Sequence, residues 1–287
     1  MSANKLLLCT DMDRTIIPNG TQSEHRLARK RFAEFCNHTE ITLAYITGRY
    51  LQMVLDAIRI YRLPIPDYIV SDVGTKIYHM KSGRWTEIKS WTDEIAKDWN
   101  GYSQRDLKKL FADITVLKLQ ENSKQSQHKL SYYAPVKTDT HTLLAQMKQK
   151  LEDNAINASL VWSIDEPKGI GLLDVLPKNA TKLHAIEFLR QQLGFSIEET
   201  VFAGDSGNDL PVIASGIPST LVANAADSVR REAIKLAQNH KQSSTLYLAN
   251  GANSDMNGNY SAGVLEGVWH FAPLLRPNLE TIGFHYE

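Results

Sequence analysis

Asp11-Met-Asp13-Arg-Thr15 sets two carboxylates two positions apart, directly behind the short apolar run from Lys5 to Thr10. At the carboxyl end of a strand in a parallel sheet, both would sit at the mouth of the ligand crevice. There they can divide the labour, one attacking and the other shuttling protons. A carboxylate nucleophile can form an aspartyl phosphate, provided a cation masks its repulsion from the phosphoryl oxygens. The same five residues are also compatible with a plain turn whose aspartates cap a helix. A calcium loop is excluded, because the sixth loop position holds no glycine and the twelfth no acid.

Three further groups carry compatible chemistry. Thr47-Gly48-Arg49 follows a second apolar run and offers a hydroxyl and backbone amides for a phosphate at a helix start. Thr181-Lys182 opens a helical pattern, and the lysine can neutralise a nucleophile and a transferring phosphate together. Gly204-Asp205-Ser206-Gly207-Asn208-Asp209 combines tight-turn glycines with hard oxygen ligands for one small cation. Each has a bland counterpart: a helix cap, a solvated lysine, an Asp/Gly-rich turn. Their shared placement at strand ends and helix starts makes coincidence a poor explanation for all four.

The elements that would position these groups alternate. Apolar strands at Lys5 to Thr10, Ile41 to Ile46, Tyr68 to Ser71, Val201 to Ala203 and Thr220 to Val222 are separated by helical patterns. The helices are expected near Ser23 to Cys36, Tyr50 to Tyr61 and Thr181 to Leu193. This is the grammar of a doubly wound parallel α/β sheet. Between the halves the texture changes. Trp85, Trp91, Trp99 and Tyr102 punctuate helical sequence, and β-rich runs at Thr115 to Gln120 and Lys129 to Tyr133 follow. A helix from Thr140 to Asn154 and strands at Ser159 to Ile164 and Gly171 to Val175 complete an α+β insertion. The expected division is 1–83 and 175–287 for the core and 84–174 for the insertion, with the three tryptophans in the insertion's own core. A loop is expected at Asn250 to Asn259.

With 287 residues the chain suits one large domain carrying an insertion. Lysine plus arginine and aspartate plus glutamate each number 32, so no broad field exists to hold nucleic acid. Cys9 and Cys36 show neither disulfide nor metal-ligand spacing, which fits a reducing compartment. The start, Met1 to Cys9, lacks a cleavage site, and no apolar stretch reaches the roughly 18 residues a membrane span requires.

The four motifs together resemble the phosphatases of the haloacid dehalogenase (HAD) superfamily, along nearly the whole chain. That resemblance implies Asp11 as nucleophile and Asp13 as acid/base. It implies Thr47, Gly48, Lys182 and Asn208 around the phosphoryl group. Mg²⁺ would be held by Asp11, Asp205, Asp209 and the backbone carbonyl of Asp13. The insertion resembles a Cof-type cap, and the chain is most similar to sucrose-phosphate and related disaccharide-phosphate phosphatases. Ser71-Asp-Val-Gly-Thr75, Leu119-Gln-Glu121, His128-Lys-Leu-Ser-Tyr132, Asp174-Val-Leu-Pro177 and Tyr260-Ser-Ala-Gly-Val264 leading to His270-Phe271 carry this likeness.

Two positions depart from it: plant and cyanobacterial members tend to have asparagine at Arg14, and a glycine commonly stands at Leu183. Gln120, Glu121 and Lys129 are the candidates for sugar contact, with a solvated sheet face as the plain alternative. The resemblance further implies a cytoplasmic monomer or weak dimer acting on a sugar phosphate, with possible association with a sugar-phosphate synthase. The alternatives are a phosphomutase using the same intermediate and a non-catalytic sugar-phosphate-binding partner of such a synthase.

Overall fold

The computed structural model describes residues 5–165, 168–252 and 254–286. Met1 to Asn4 of the chain start, and Asn253 within the loop expected at Asn250 to Asn259, lie outside the described residues. The chain divides into two compact units, Met1–Glu87 with Lys182–Glu287, and Ile88–Thr181.

The first unit opens with β1 (Leu6–Thr10), α1 (Ala28–Cys36), β2 (Ile41–Ile46), α2 (Leu51–Tyr61), β3 (Tyr68–Ser71), β4 (Lys76–Lys81) and β5 (Arg84–Glu87). The second unit holds α3 (Lys89–Ala96), α4 (Gln104–Leu110), β6 (Lys118–Leu119), β7 (Leu130–Pro135), α5 (Thr140–Asp153), β8 (Ala158–Asp165) and β9 (Ile170–Pro177). The chain then returns through α6 (Lys182–Leu193), β10 (Thr200–Gly204), α7 (Leu210–Ile213), β11 (Ser219–Leu221), α8 (Asp227–Asn239), β12 (Leu246–Leu248), α9 (Ser261–Phe271) and α10 (Arg276–Thr281).

The first sheet runs β12-β11-β10-β1-β2-β3-β4-β5, and every pairing from β12 to β3 is parallel. β1 lies between β2 and β10, the chain departing to one side first and returning to the other much later. Such a reversal of strand order opens a crevice at the carboxyl ends. Leu6, Leu7 and Leu8 are at most 1% exposed, which requires cover on both sheet faces. Each such leucine contributes about 1.5–3 kcal/mol by burial. Leu6 and Leu8 join Phe32 and Phe35 of α1 and Val264, Leu265 and Val268 of α9 in one cluster.

The sequence reading began the first helix at Ser23, whereas α1 starts at Ala28. The preceding carbonyls are held elsewhere: Ser23 O accepts from the Asn257 and Asn259 side chains, and Gln22 O from the Tyr260 hydroxyl. The insertion was expected at 84–174. Arg84–Glu87 instead pair antiparallel with β4 and extend the first unit's sheet, while β9 runs on to Pro177. Trp85 accordingly packs against the first unit's core and not the insertion's. Trp91 and Trp99 are fully buried in the second unit. The strand expected over Thr115 to Gln120 is reduced to β6, because the turn bonds Ile114 N–Phe111 O and Leu117 N–Ile114 O occupy the residues before it.

The second unit's sheet runs β6-β7-β9-β8 and is antiparallel throughout. One face packs Leu130, Tyr132, Leu173 and Val175 against Leu107 and Phe111 and against Leu143, Met147 and Leu151 of α5. Among the described residues no helix is long and apolar enough to cross a membrane.

The glycines of α9 explain part of the Tyr260-to-Phe271 ending. A Cβ on Gly267 would run into Oγ1 of Thr220, with Thr220 Cβ only 2.7 Å away, so the helix reaches β11 only without a side chain there. Gly267→Ala is expected to cost about 1–3 kcal/mol through overpacking, read as a lower urea midpoint at an unchanged m value. An unchanged midpoint would show that the close approach is not needed.

Candidate active site

Asp11 leaves β1 with its backbone N–H still bonded to Ala203 O of β10, which fixes the nucleophile candidate at the sheet's edge. Its side chain is 8% exposed, with Oδ1 accepting from Met12 N at 2.7 Å. Lys182, the first residue of α6, lies 2.9 Å from Asp11 Oδ2 and 2.8 Å from Asp209 Oδ1. It also donates to Asn208 Oδ1 at 3.1 Å. Burial alone would lower the lysine's pKa, but the two carboxylates outweigh it and hold the ammonium above its ordinary range.

Asp209 is wholly buried and consumes its second oxygen inside its own loop, accepting from Asp205 N and Ser206 N at 3.0 Å each. This fold of the loop demands Gly204, where a Cβ would lie 2.5 Å from the Asp209 carboxyl. Gly48, by contrast, faces open space, so sterics do not require a glycine there.

Carboxylate oxygens of Asp11, Asp205 and Asp209 all lie within 4.8 Å of one another. Burial, with Asp209 close by, raises Asp11 to about 7 against the pull of Lys182. Burial and the Asp209 charge raise Asp205 to about 6, against the opposing charge of Arg14. Three crowded, desolvated carboxylates are a set that a small divalent cation fits, since hard oxygen donors suit Mg²⁺ and its charge offsets their repulsion. The Asp13 carboxylate stands outside this group.

Asp13 faces another way. Its oxygens receive Arg49 Nη2 at 2.6 Å, Arg49 Nε at 2.7 Å and Asn19 Nδ2 at 2.7 Å. Burial would raise its pKa, but the paired guanidinium and the amide outweigh that and hold the carboxyl below its usual range. Thr47, 1% exposed at the end of β2, accepts from Arg49 N through its hydroxyl at 3.2 Å. The motif around Thr47 thus reaches the motif around Asp13 through Arg49, a residue whose role the sequence reading left unassigned. Asn19 and Asn224 were likewise unassigned, and Thr15, part of the first motif, donates to Asp205 at 3.3 Å, a partner the motif did not announce. Asn19 opens a polar stretch after the apolar Ile16-Ile17-Pro18, and no local pattern marked Asn224.

At the mouth of the crevice, Asp72 and Val73 carry φ of 51° and 61°. Left-handed backbone is costly for a β-branched residue. In the second unit, Gln120 and Lys129 line a cavity of about 180 Å³ with Lys124, Tyr133, Asp165 and Asp174 on the sheet face away from its core. Gln120 donates to Tyr132 O, and Lys129 stands 3.6 Å from Asp174. Glu121 is exposed, accepts from the Tyr133 hydroxyl at 2.8 Å and is not part of that lining.

Residues 4–272 match the family model of sucrose-6F-phosphate phosphohydrolase. A putative HAD-like hydrolase of Nitrosococcus oceani is 51% identical over 278 residues, covering 96% of this chain and 74% of that one. A mannosylfructose-phosphate phosphatase of Agrobacterium fabrum is 27% identical over 271 residues, covering 92% and 96% respectively. The sucrose-phosphatase of Synechocystis, solved with sucrose and phosphate, aligns with a TM-score of 0.69 and 25% identity, over 93% of this chain and 98% of that one.

Proposed function

From the premise that the chain belongs to the sucrose-6F-phosphate phosphohydrolase family, and so is a HAD-type sugar-phosphate phosphatase, we propose that its substrate is a disaccharide phosphate. We further propose that it works through an aspartyl phosphate on Asp11 and requires Mg²⁺. The observation that carries this reading is the placement of Lys182 between Asp11 and Asp209, within a cluster that Asp205 completes.

The roles proposed are those the family resemblance implies, and the Asp11–Lys182–Asp209 arrangement supports the first of them. An Asp11 oxygen attacks phosphorus and the phosphorus–oxygen bond to the sugar breaks, the departing oxygen taking a proton from Asp13. Asp13 then removes a proton from water as that water attacks the acyl phosphate, which frees inorganic phosphate and restores Asp11. The Arg49 pair favours Asp13 as a carboxylate, the form the second half requires. For the first half that contact must loosen so that Asp13 can carry a proton. Lys182 neutralises Asp11 and the incoming phosphoryl charge, with Thr47, Gly48 and Asn208 as further phosphate contacts. Mg²⁺ held by Asp11, Asp205, Asp209 and the backbone carbonyl of Asp13 would supply positive charge against the repulsion between Asp11 and the phosphoryl oxygens.

The relatives named for sucrose and mannosylfructose phosphates favour a fructosyl disaccharide phosphate. The cavity at Gln120 and Lys129 supports a sugar-contacting role for the second unit. A cytoplasmic location belongs to the same proposal and is supported by Cys9 and Cys36, which are both unpaired. So does association with a sugar-phosphate synthase, whose product this reaction would remove.

The test is phosphate release, with and without Mg²⁺, from sucrose 6-phosphate, other fructosyl disaccharide phosphates and simple hexose phosphates, ranked by kcat/KM. Disaccharide phosphates are expected to lead, and a hexose phosphate ranking first would remove the substrate assignment. Asp205→Asn is expected to raise the Mg²⁺ concentration for half activity at least tenfold, since losses outside the ligand shell already cost about 10- to 100-fold. An unchanged metal titration would take Asp205 out of the ligand set.

A further inference from the structure

Arg14 lies within the first motif, between Asp13 and Thr15, and its surroundings give it a task that the phosphoryl chemistry leaves unassigned. Its backbone is left-handed, with φ of 57°, and is fastened on both sides. The N–H donates to Asn19 Oδ1 at 2.9 Å and to Ile17 O at 3.0 Å, while the carbonyl accepts from Asn224 Nδ2 at 2.6 Å. Asn224 is 2% exposed and also takes the N–H of Tyr260 at 2.7 Å, so the clamp is anchored at the start of α9.

The side chain folds back along the same clamp. Nη2 donates to Asn224 O at 3.2 Å, and Nε lies 3.3 Å from Asp205 Oδ2. That Nε is buried and makes no hydrogen bond, so the pairing with Asp205 is one of charge without alignment. The other oxygen of Asp205 accepts from Thr15. Lys182 serves Asp11 and Asp209, and the cation beside Asp205 is Arg14.

We infer that Arg14 is a built-in counter-cation for Asp205 that competes with the divalent ion for this carboxylate and sets how tightly the ion is held. The inference rests on the reading of the acidic cluster as a cation site. An arginine is always charged, so its field persists at every working pH. Its side chain is 43% exposed and its pairing with Asp205 is by charge without a hydrogen bond, so the head group can yield to a metal at small cost. With no metal bound, it offsets the charge of Asp205 against the neighbouring Asp209. With metal bound, it repels the ion across a short distance.

Two effects of opposite sign follow, and a merely structural role would not produce them together. Arg14→Asn is expected to lower the melting temperature of the metal-free protein and to bind Mg²⁺ about three- to tenfold more tightly, the order expected for one partly screened charge. Arg14→Lys keeps the charge and is expected to stay within about twofold of the parent affinity. The experiment is calorimetric Mg²⁺ titration of the full chain and both variants, with metal-free and Mg²⁺-loaded melting curves.

Tighter binding by Arg14→Asn with parent-like binding by Arg14→Lys is the expected result. Equal affinities in all three proteins, or weaker binding by Arg14→Asn, would overturn the inference while leaving the cation site in place. Absence of Mg²⁺ binding in the parent chain would overturn the cation site itself, and the inference with it.

Discussion

Asp11→Asn is expected to abolish phosphate release, with kcat falling on the order of 10³-fold or more, the scale of losing a covalent nucleophile. The side chain keeps its shape, so the bond from Met12 N can be retained while the attacking oxygen pair is lost. The expected effect on stability is the opposite of the effect on rate. Burial raises the folded-state pKa of Asp11 above its unfolded value, so the folded protein holds a proton there that the unfolded chain has released. Such a group destabilises the fold progressively as pH rises from about 4 to about 7, and a neutral amide removes that penalty. Without metal, the melting temperature of the variant is expected to rise relative to the parent's between pH 5 and pH 8, offsetting the lost contact to Lys182. Appreciable Mg²⁺-dependent turnover by Asp11→Asn would overturn the choice of nucleophile.

The second large effect falls on Lys182, which is 7% exposed between two carboxylates. Lys182→Ala leaves buried charge uncompensated, and breaking a buried pair on one side costs about 3–5 kcal/mol. The lysine's raised pKa makes its contribution fully present below the unfolded value and lost only as pH climbs through the folded one. Alkaline solution is therefore not needed to see the effect. The gap to the parent protein is expected to narrow toward pH 5, because Asp11, raised to about 7 even beside the lysine, is protonated in both proteins there and leaves less charge to compensate. Lys182→Met separates charge from packing and is expected to lose almost as much. Urea melts at pH 8 and pH 5 measure both, and a loss under about 1 kcal/mol at pH 8 would show that the network is not electrostatically stressed. Phosphate release should fail in both variants even where they are folded.

What could be read from the sequence follows from how each element announces itself. β1, β2 and β10 lie within a parallel sheet with both faces covered, so they appear as mainly apolar runs with a candidate site residue directly behind each. Asp11, Thr47 and Asp205 could be placed at the crevice for that reason alone. β4 and β5 are half-exposed and mix lysine, arginine and histidine with their apolar residues. They escaped notice, and the boundary of the insertion moved with them.

Partnerships across loops were less legible still. Arg49 meets Asp13 from 36 residues away, and Asn224 meets Arg14 from 210, with no periodicity to link either pair. In the second unit the sequence offered alternating polar residues without saying which would share a concavity. Gln120 and Lys129 do so, while Glu121 turns to the Tyr133 hydroxyl.

The most direct test is chemical capture. Enzyme in excess over a disaccharide phosphate, with Mg²⁺ present, is quenched in acid within the first turnover, reduced with borohydride and mapped by peptide mass spectrometry. A transient acyl phosphate on Asp11, read as homoserine at that position, is the expected result. A full turnover of released phosphate with Asp11 unmodified at every time point, or with the label on Asp13, would contradict it.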